Sequence, residues 1–117
     1  MQSKDEAILI KNGEEISEAK RPGKLYRLMV KSQHLDAIIT ELEPQAESRW
    51  FQHEGEELHL VLEGEMEYTV SEHSYKLTEG DILWHKSSLK HRAKNTKKDK
   101  VVYITVGTPP TFAWSTL

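Results

Sequence analysis

The chain has 117 residues, no cysteine and a formal net charge of −3. Its length fits a single domain over residues 1–117 with one hydrophobic core, and the small net charge gives little reason to expect a polyanionic partner. The absence of cysteine excludes disulfides, thiolate metal sites and cysteine nucleophiles, so any metal ligands must be histidine, aspartate or glutamate.

The N-terminal segment carries only a short apolar run, "AILI" at 7–10, between acidic residues. This pattern fits neither a secretory signal nor a membrane-spanning helix, so we expect a cytoplasmic protein with no membrane partner. Nothing before residue 25 predicts a helical DNA-binding unit, and direct DNA binding is therefore not expected.

Strand patterns dominate the first half of the chain. "AILI", "LYRLMV" (25–30) and "LDAIITEL" (35–42) are short, rich in branched apolar residues and separated by polar or glycine-containing turns. "EMEYTV" (65–70) alternates apolar with polar residues, which is typical of an antiparallel strand with one wet face.

The second half continues the pattern. "SEHS" (71–74) predicts a hairpin turn into "YKL", "TEGD" predicts a second turn, and "ILWH" and "VVYITV" predict further strands. Two prolines in "GTPPTF" end the last strand and predict that the tail leaves as an extended arm. Because no long segment has a helical apolar period, we predict an all-β sandwich or barrel-like roll.

Polar residues of metal-ligand type recur within "HEGEELHLVLEGE" (53–65). Residues two apart in a strand share a face, so Phe51, His53, Glu57 and His59 could all point into one cavity. Apolar residues on both faces of "LHLVLEG" predict a strand buried on both sides. An interior carboxylate among imidazoles is costly unless something pairs with it, and a divalent cation would satisfy the whole group.

A further ligand can come from "GDILWHKSSLKHRAKN" (80–95), where His91 enters a predicted strand and His85 closes the preceding one. Two histidines and one carboxylate suit Fe, Mn, Ni or Zn and leave positions open for water or a small molecule.

These two segments resemble the motifs of the cupins, G-x5-H-x-H-x3,4-E-x6-G and G-x5-P-x-G-x2-H-x3-N, which lie on a double-stranded β-helix. The resemblance covers about residues 35–112 and implies a jelly-roll barrel. The matching residues are His53, Glu57 and Gly64 in the first motif and Gly80, His91 and Asn95 in the second.

The sequence also departs from both motifs. Phe51 stands at the first histidine of the first motif, and Lys86 and Ser88 replace the proline and glycine of the second. The resemblance therefore implies a three-ligand metal site of His53, Glu57 and His91. The alternative is an emptied cupin, in which these side chains bond to one another and to trapped water.

Other residues are assigned around that site. His59 and His85 are predicted as additional ligands or as residues behind the ligands, with hydrogen bonding favoured for His59. The predicted pocket wall consists of Phe51, Tyr68, Trp84 and Tyr103.

A narrower likeness points to the small-molecule-sensing cupin that follows a helix-turn-helix in many transcriptional regulators. "GEE", "VLEGE", "HR-x-x-N" and "TPPTF" carry it. It implies a sensor-like module that binds a metal and a small metabolite, and a homodimer paired through sheet edges is expected. A small lyase, isomerase or oxygenase, with His59 or Tyr68 as acid or base, remains the alternative, so catalysis is left open.

Overall fold

The fold is built from antiparallel strands, as a computed structural model of the protein shows for residues 6–112 and 117. Nine strands are present in this part of the chain, and none of its residues belongs to a helix that could span a membrane. The strands are β1 (Ser17–Arg21), β2 (Lys24–Lys31), β3 (Asp36–Leu42), β4 (Glu56–Glu63), β5 (Glu65–Val70), β6 (His73–Thr78), β7 (Ile82–Lys86), β8 (His91–Lys94) and β9 (Val101–Thr108).

Two sheets form the molecule. The larger has six strands in the order β1-β2-β3-β9-β4-β7, and the smaller has three in the order β6-β5-β8. All pairings are antiparallel. The all-β prediction is therefore confirmed, and the predicted strands at 25–30, 35–42 and 65–70 lie within β2, β3 and β5 to within a residue.

The inward face of the larger sheet changes from apolar to polar along its strands. At one end Leu42 pairs with Val101, and both are fully buried. At the other end Gly107 pairs with both Asp36 and Glu57. The alternation of side chains in a strand thus places the apolar core at one end of the barrel and a polar site at the other.

The apolar core joins the two sheets. Its buried members are Leu42, Val61, Met66, Tyr68, Val70, Leu77, Ala93, Val101 and Tyr103. Several of them come from "EMEYTV" and "VVYITV", whose period-two alternation puts one apolar row of each strand inside. This core is what holds the polar end in place.

Two predictions at the chain ends are wrong. Residues 7–10, "AILI", pair with no strand within the described part of the chain, and Leu9 is 80% exposed. The last strand is not followed by a free extended arm either, as far as the described residues up to Phe112 show. The backbone N–H of Phe112 donates to Asp36 Oδ2 (3.1 Å), and its ring packs with Tyr26, Leu28 and Ile38, so apolar contact folds the tail back onto the barrel.

The prediction that β4 is buried on both faces is also wrong. Leu58 and Leu62 are 37% and 45% exposed, whereas His59 and Val61 are buried. Only the smaller sheet covers β4, and it covers the inner face, so the outer leucines remain at the surface.

Candidate metal centre

A cavity of about 90 Å³, open to solvent at its mouth, lies at the polar end of the barrel. The predicted residues Phe51, His53, Glu57 and His59 all line it, although the first two precede β4. His91 lines it from β8, and the bridge between Phe51 and His91 brings the two motif segments together. Shared parity within β4 thus accounts for Glu57 and His59, whereas Phe51 and His53 reach the cavity through backbone contacts with His91 and Ser87.

Glu57 lies at the centre of the histidines. Its Oε1 atom is 2.8 Å from His91 Nε2, 3.7 Å from His53 Nε2 and 3.6 Å from His85 Nε2. This oxygen is buried and accepts no hydrogen bond of good geometry. A buried carboxylate oxygen without a hydrogen bond is costly, and a cation held among the nitrogens would satisfy it.

Three of the rings are oriented by backbone carbonyls. The Nδ1 atoms of His53, His85 and His91 lie 3.0, 3.0 and 2.7 Å from the carbonyl oxygens of residues 54, 86 and 89. A carbonyl only accepts, so each Nδ1–H donates to it, and each neutral ring is left with its lone pair on Nε2. Backbone acceptors of this kind fix the tautomer of metal-binding histidines.

The electrostatics favour a charged Glu57 carboxylate beside neutral rings of His59 and His85. Burial raises the pKa of Glu57. The close His91 contact and the neighbouring histidines outweigh this effect and lower the pKa to about 2. Burial lowers the pKa of His59 to about 3, an effect that the Glu57 charge opposes only in part. Burial also lowers the pKa of His85. Anionic Glu57 and neutral imidazoles are the states that bind a divalent cation.

The metal-free protein should lose stability on acidification because of His59. Below its ordinary pKa of 6.5 the unfolded chain takes up a proton that the folded chain, with a pKa of about 3, does not bind. The stabilisation is thus present above pH 6.5 and is lost as the pH falls toward 3. We expect the free energy of unfolding to fall by about 1.4 kcal/mol per pH unit over this range from His59 alone.

Urea unfolding in EDTA at several pH values measures that slope. Glu57 adds a loss of the same sign below about pH 4.5, since its pKa is also depressed in the folded state. His59→Leu should flatten the slope near pH 5, whereas the matched change at exposed His73 should leave it intact. An unchanged slope in His59→Leu would contradict this assignment.

The wall of the cavity is largely aromatic. Phe51, Tyr68 and Tyr103 line it as the sequence suggested, and Tyr26 joins them. Burial raises the pKa of Tyr68 well above 10, so its phenol stays protonated. It can therefore donate a hydrogen bond into the site but is a poor general base.

Trp84 does not belong to the wall, contrary to the prediction. It is 54% exposed and its Nε1–H donates to Glu56 Oε1 (3.0 Å) on the outside of the sheet. In β7 His85 is the buried neighbour, and alternation then sends Trp84 outward.

Three residues that the sequence reasoning missed complete the site. Asp36 lines the cavity and is only 3% exposed. It lies two positions before the apolar Ile38 in "LDAIITEL", so strand alternation puts both on the same face, and this was the signal available in the sequence. Gly107 separates Asp36 from Glu57, since a Cβ there would lie 3.2 Å from Asp36 Oδ1 and 3.6 Å from Glu57 Cγ. Thr105 Oγ1 lies 2.7 Å from His59 Nδ1. No motif marks the last two, because only the strand register brings them in.

The basic run at 86–100 lies largely against acidic side chains. Arg92 and Lys94 both reach Glu47, at 3.6 and 4.0 Å, and Lys97 reaches Glu65 at 3.4 Å. Arg92 also stacks on Trp50, 4.4 Å from its ring centre. These pairs favour a solvated surface over a nucleic-acid interface.

Comparison with known proteins identifies the family. A model of the cupin domain matches residues 38–107, which include all three predicted ligands. The chain belongs to the cupin family. An uncharacterized protein from Archaeoglobus fulgidus is 34% identical over 64 residues, which make up 55% of this chain and 60% of that protein, less than two thirds of its length.

Solved cupin-like structures share the fold. KdgF from a Halomonas species superposes with a TM-score of 0.76 at 19% identity, covering 90% of this chain and 96% of that one. A variant of oxalate decarboxylase from Bacillus subtilis gives 0.76 at 18% identity, covering 86% of this chain but 29% of the enzyme. The two sheets are thus those of a double-stranded β-helix, as predicted from the motifs.

Proposed function

We propose that this cupin binds one divalent metal ion through His53, Glu57 and His91. The observation that carries the proposal is that one ligand atom from each of the three residues lies within 4.8 Å of the others, and that the carboxylate oxygen among them, Glu57 Oε1, is buried without a hydrogen bond. Zinc, iron, manganese and nickel all accept two imidazoles and one carboxylate, and each would leave coordination positions open. Phe51 stands at a ligand position of the family motif, and it increases the apolar share of the wall.

The cavity also suits a small oxygenated molecule. A bound divalent ion supplies Lewis acidity toward such a ligand's oxygen atoms. Among the described residues that line the cavity, none is lysine or arginine, so the metal would be the main partner for a negative charge. The aromatic wall would enclose the rest of the molecule. We therefore favour a ligand-binding, sensor-like module.

A small metalloenzyme is the second candidate. It is favoured by the protonated phenol of Tyr68 and by a fold shared with oxalate decarboxylase. Proton NMR of the metal-loaded protein with small hydroxy and keto acids separates the two candidates. Broadened resonances of an acid that stays chemically unchanged support a binding module, whereas the appearance of product resonances supports an enzyme.

Metal analysis of ligand variants tests the site itself. We expect His91→Ala and His53→Ala to lower the affinity for Zn²⁺ by at least about 100-fold, because each removes a coordinating nitrogen. Equilibrium dialysis followed by elemental analysis gives the binding constants. The matched control is His34→Ala, on an exposed turn. Undiminished binding in both site variants would overturn the three-ligand assignment.

We also propose that two copies pair along the β7 edge of the larger sheet. Ile82 and Trp84 on this edge strand are 63% and 54% exposed, and Leu58 lies beside Trp84 in register on β4. Exposed apolar edge strands are ready surfaces for pairing. Light scattering should give a dimer mass, and Ile82→Glu combined with Trp84→Glu should give a monomer. A monomeric parent protein would contradict the pairing.

A further inference from the structure

Two imidazoles face each other deep in the barrel, behind the proposed metal ligands. His59 on β4 and His85 on β7 are 2% and 4% exposed, and their Nε2 atoms are 2.9 Å apart. The ring planes are inclined by 20° at a centroid distance of 5.0 Å. Buried polar nitrogens are costly unless each has a partner, and the two Nε2 atoms are hydrogen-bonded to each other.

The Nδ1 atom of each ring already has a hydrogen-bond partner. His85 Nδ1–H donates to the Lys86 carbonyl, which leaves the His85 lone pair on Nε2. His59 Nδ1 lies 2.7 Å from Thr105 Oγ1, a hydroxyl that can donate or accept. When the hydroxyl accepts, the single ring proton of His59 sits on Nδ1 and its Nε2 lone pair also points inward. Both rings can then offer Nε2 to a common cation.

Glu57 supplies a third donor to this pair. Its Oε1 atom lies 3.6 Å from His85 Nε2, and one ligand atom from each of Glu57, His59 and His85 falls within 4.8 Å of the others. We propose that these three residues form a second divalent-cation position, which shares Glu57 with the site of His53 and His91. Two imidazoles and a carboxylate select a borderline transition-metal ion such as Zn²⁺ or Co²⁺ over Ca²⁺ or Mg²⁺.

Sharing one carboxylate is the arrangement that two-metal centres use, with ions about 3.5–4 Å apart. Asp36, a second buried carboxylate close to Glu57, adds negative charge at the same end of the cavity. Without a cation the pair is satisfied differently. His59 Nε2–H then donates to His85 Nε2, and the Thr105 hydroxyl donates to His59 Nδ1. Binding therefore needs only a shift of the His59 proton between its two nitrogens.

The proposal rests on the proposed function through Glu57, and Co²⁺ titration separates the two. Equilibrium dialysis of the full chain gives the number of Co²⁺ ions bound, and the visible spectrum reports imidazole coordination. We expect two equivalents in the parent protein. His85→Phe, which keeps the ring volume but removes the nitrogens, should leave one, and His91→Ala should leave the other. His59→Leu is the second variant for the deep position, and His73→Phe is the exposed control.

Each outcome decides the matter, provided that thermal unfolding shows the variants to be folded. One equivalent that His91→Ala removes and His85→Phe retains would overturn the second position and leave the proposed function intact. One equivalent that only His85→Phe and His59→Leu remove would support the deep position and overturn the first site. A single equivalent lost in all these variants would mean one ion with a larger ligand set and would overturn the second position, and no binding would overturn both sites.

Discussion

Glu57→Gln is expected to abolish tight metal binding while the protein stays folded. The substitution keeps the shape of the side chain but removes the charge and turns one of its two oxygens into an amide nitrogen that cannot bind a cation. Glu57 Oε1 lies within 3.7 Å of three imidazole nitrogens, and Glu57 is the one carboxylate in both candidate ligand groups among the described residues. We expect the affinity for Zn²⁺ to fall by more than about 100-fold, because mutation of residues that only hydrogen-bond to metal ligands already costs up to that factor. Isothermal titration with Zn²⁺ measures the change.

The preceding residue provides the control. Glu56 carries the same charge one position earlier in β4, but its side chain is outside the sheet, where it accepts a hydrogen bond from Trp84. Glu56→Gln keeps an oxygen acceptor for that bond and should leave the affinity for Zn²⁺ within about twofold. The site would be assigned wrongly if the two variants behaved alike, or if Glu57→Gln still raised its melting temperature when Zn²⁺ was added.

The contrast between Glu56 and Glu57 shows what the sequence could predict. Alternation in a strand separates inward from outward positions, and it correctly places Glu57 and His59 on the inner face of β4. Phe51 and His53 precede the strand, and their backbone contacts with His91 and Ser87 bring them to the same place. The structure has all four at one cavity. The fold was predictable for the same reason, since period-two strands and turn residues specify antiparallel sheets locally.

The remaining features depend on contacts between distant segments. Trp84 and Leu58 looked like interior residues by type, but which face of a strand is covered depends on where the second sheet lies. The pairing of His59 with His85 depends on the register of β4 with β7, which puts Glu57 opposite His85. The return of Phe112 to the barrel depends on Asp36, 76 residues earlier in the chain. Such long-range relations leave no local sequence pattern.

Gly55→Ala is expected to cause a large loss of stability without removing a proposed metal ligand. Gly55 has φ of +94°, and an added Cβ would overlap the Thr108 carbonyl oxygen and lie 2.6 Å from Pro109 Cδ. The strained dihedral and the collision with backbone together should cost about 3–5 kcal/mol in the free energy of unfolding. The segment that must move carries Thr111, whose hydroxyl lies 3.1 Å from His53 Nδ1. Urea unfolding measures the loss, and a lower Zn²⁺ affinity should accompany it.

Gly80→Ala separates the two contributions to that loss. Gly80 has a similar φ of +88°, but an added Cβ would meet no atom within 4 Å. Its substitution should therefore cost only the left-handed backbone strain, about 1 kcal/mol, and leave the Zn²⁺ affinity unchanged. Equal losses of stability in the two variants would show that backbone strain alone, and not the approach of residues 108–109, requires glycine at position 55. A larger loss in Gly55→Ala, together with weaker Zn²⁺ binding, would show that the close approach of Gly55 to residues 108–109 keeps Thr111 beside His53.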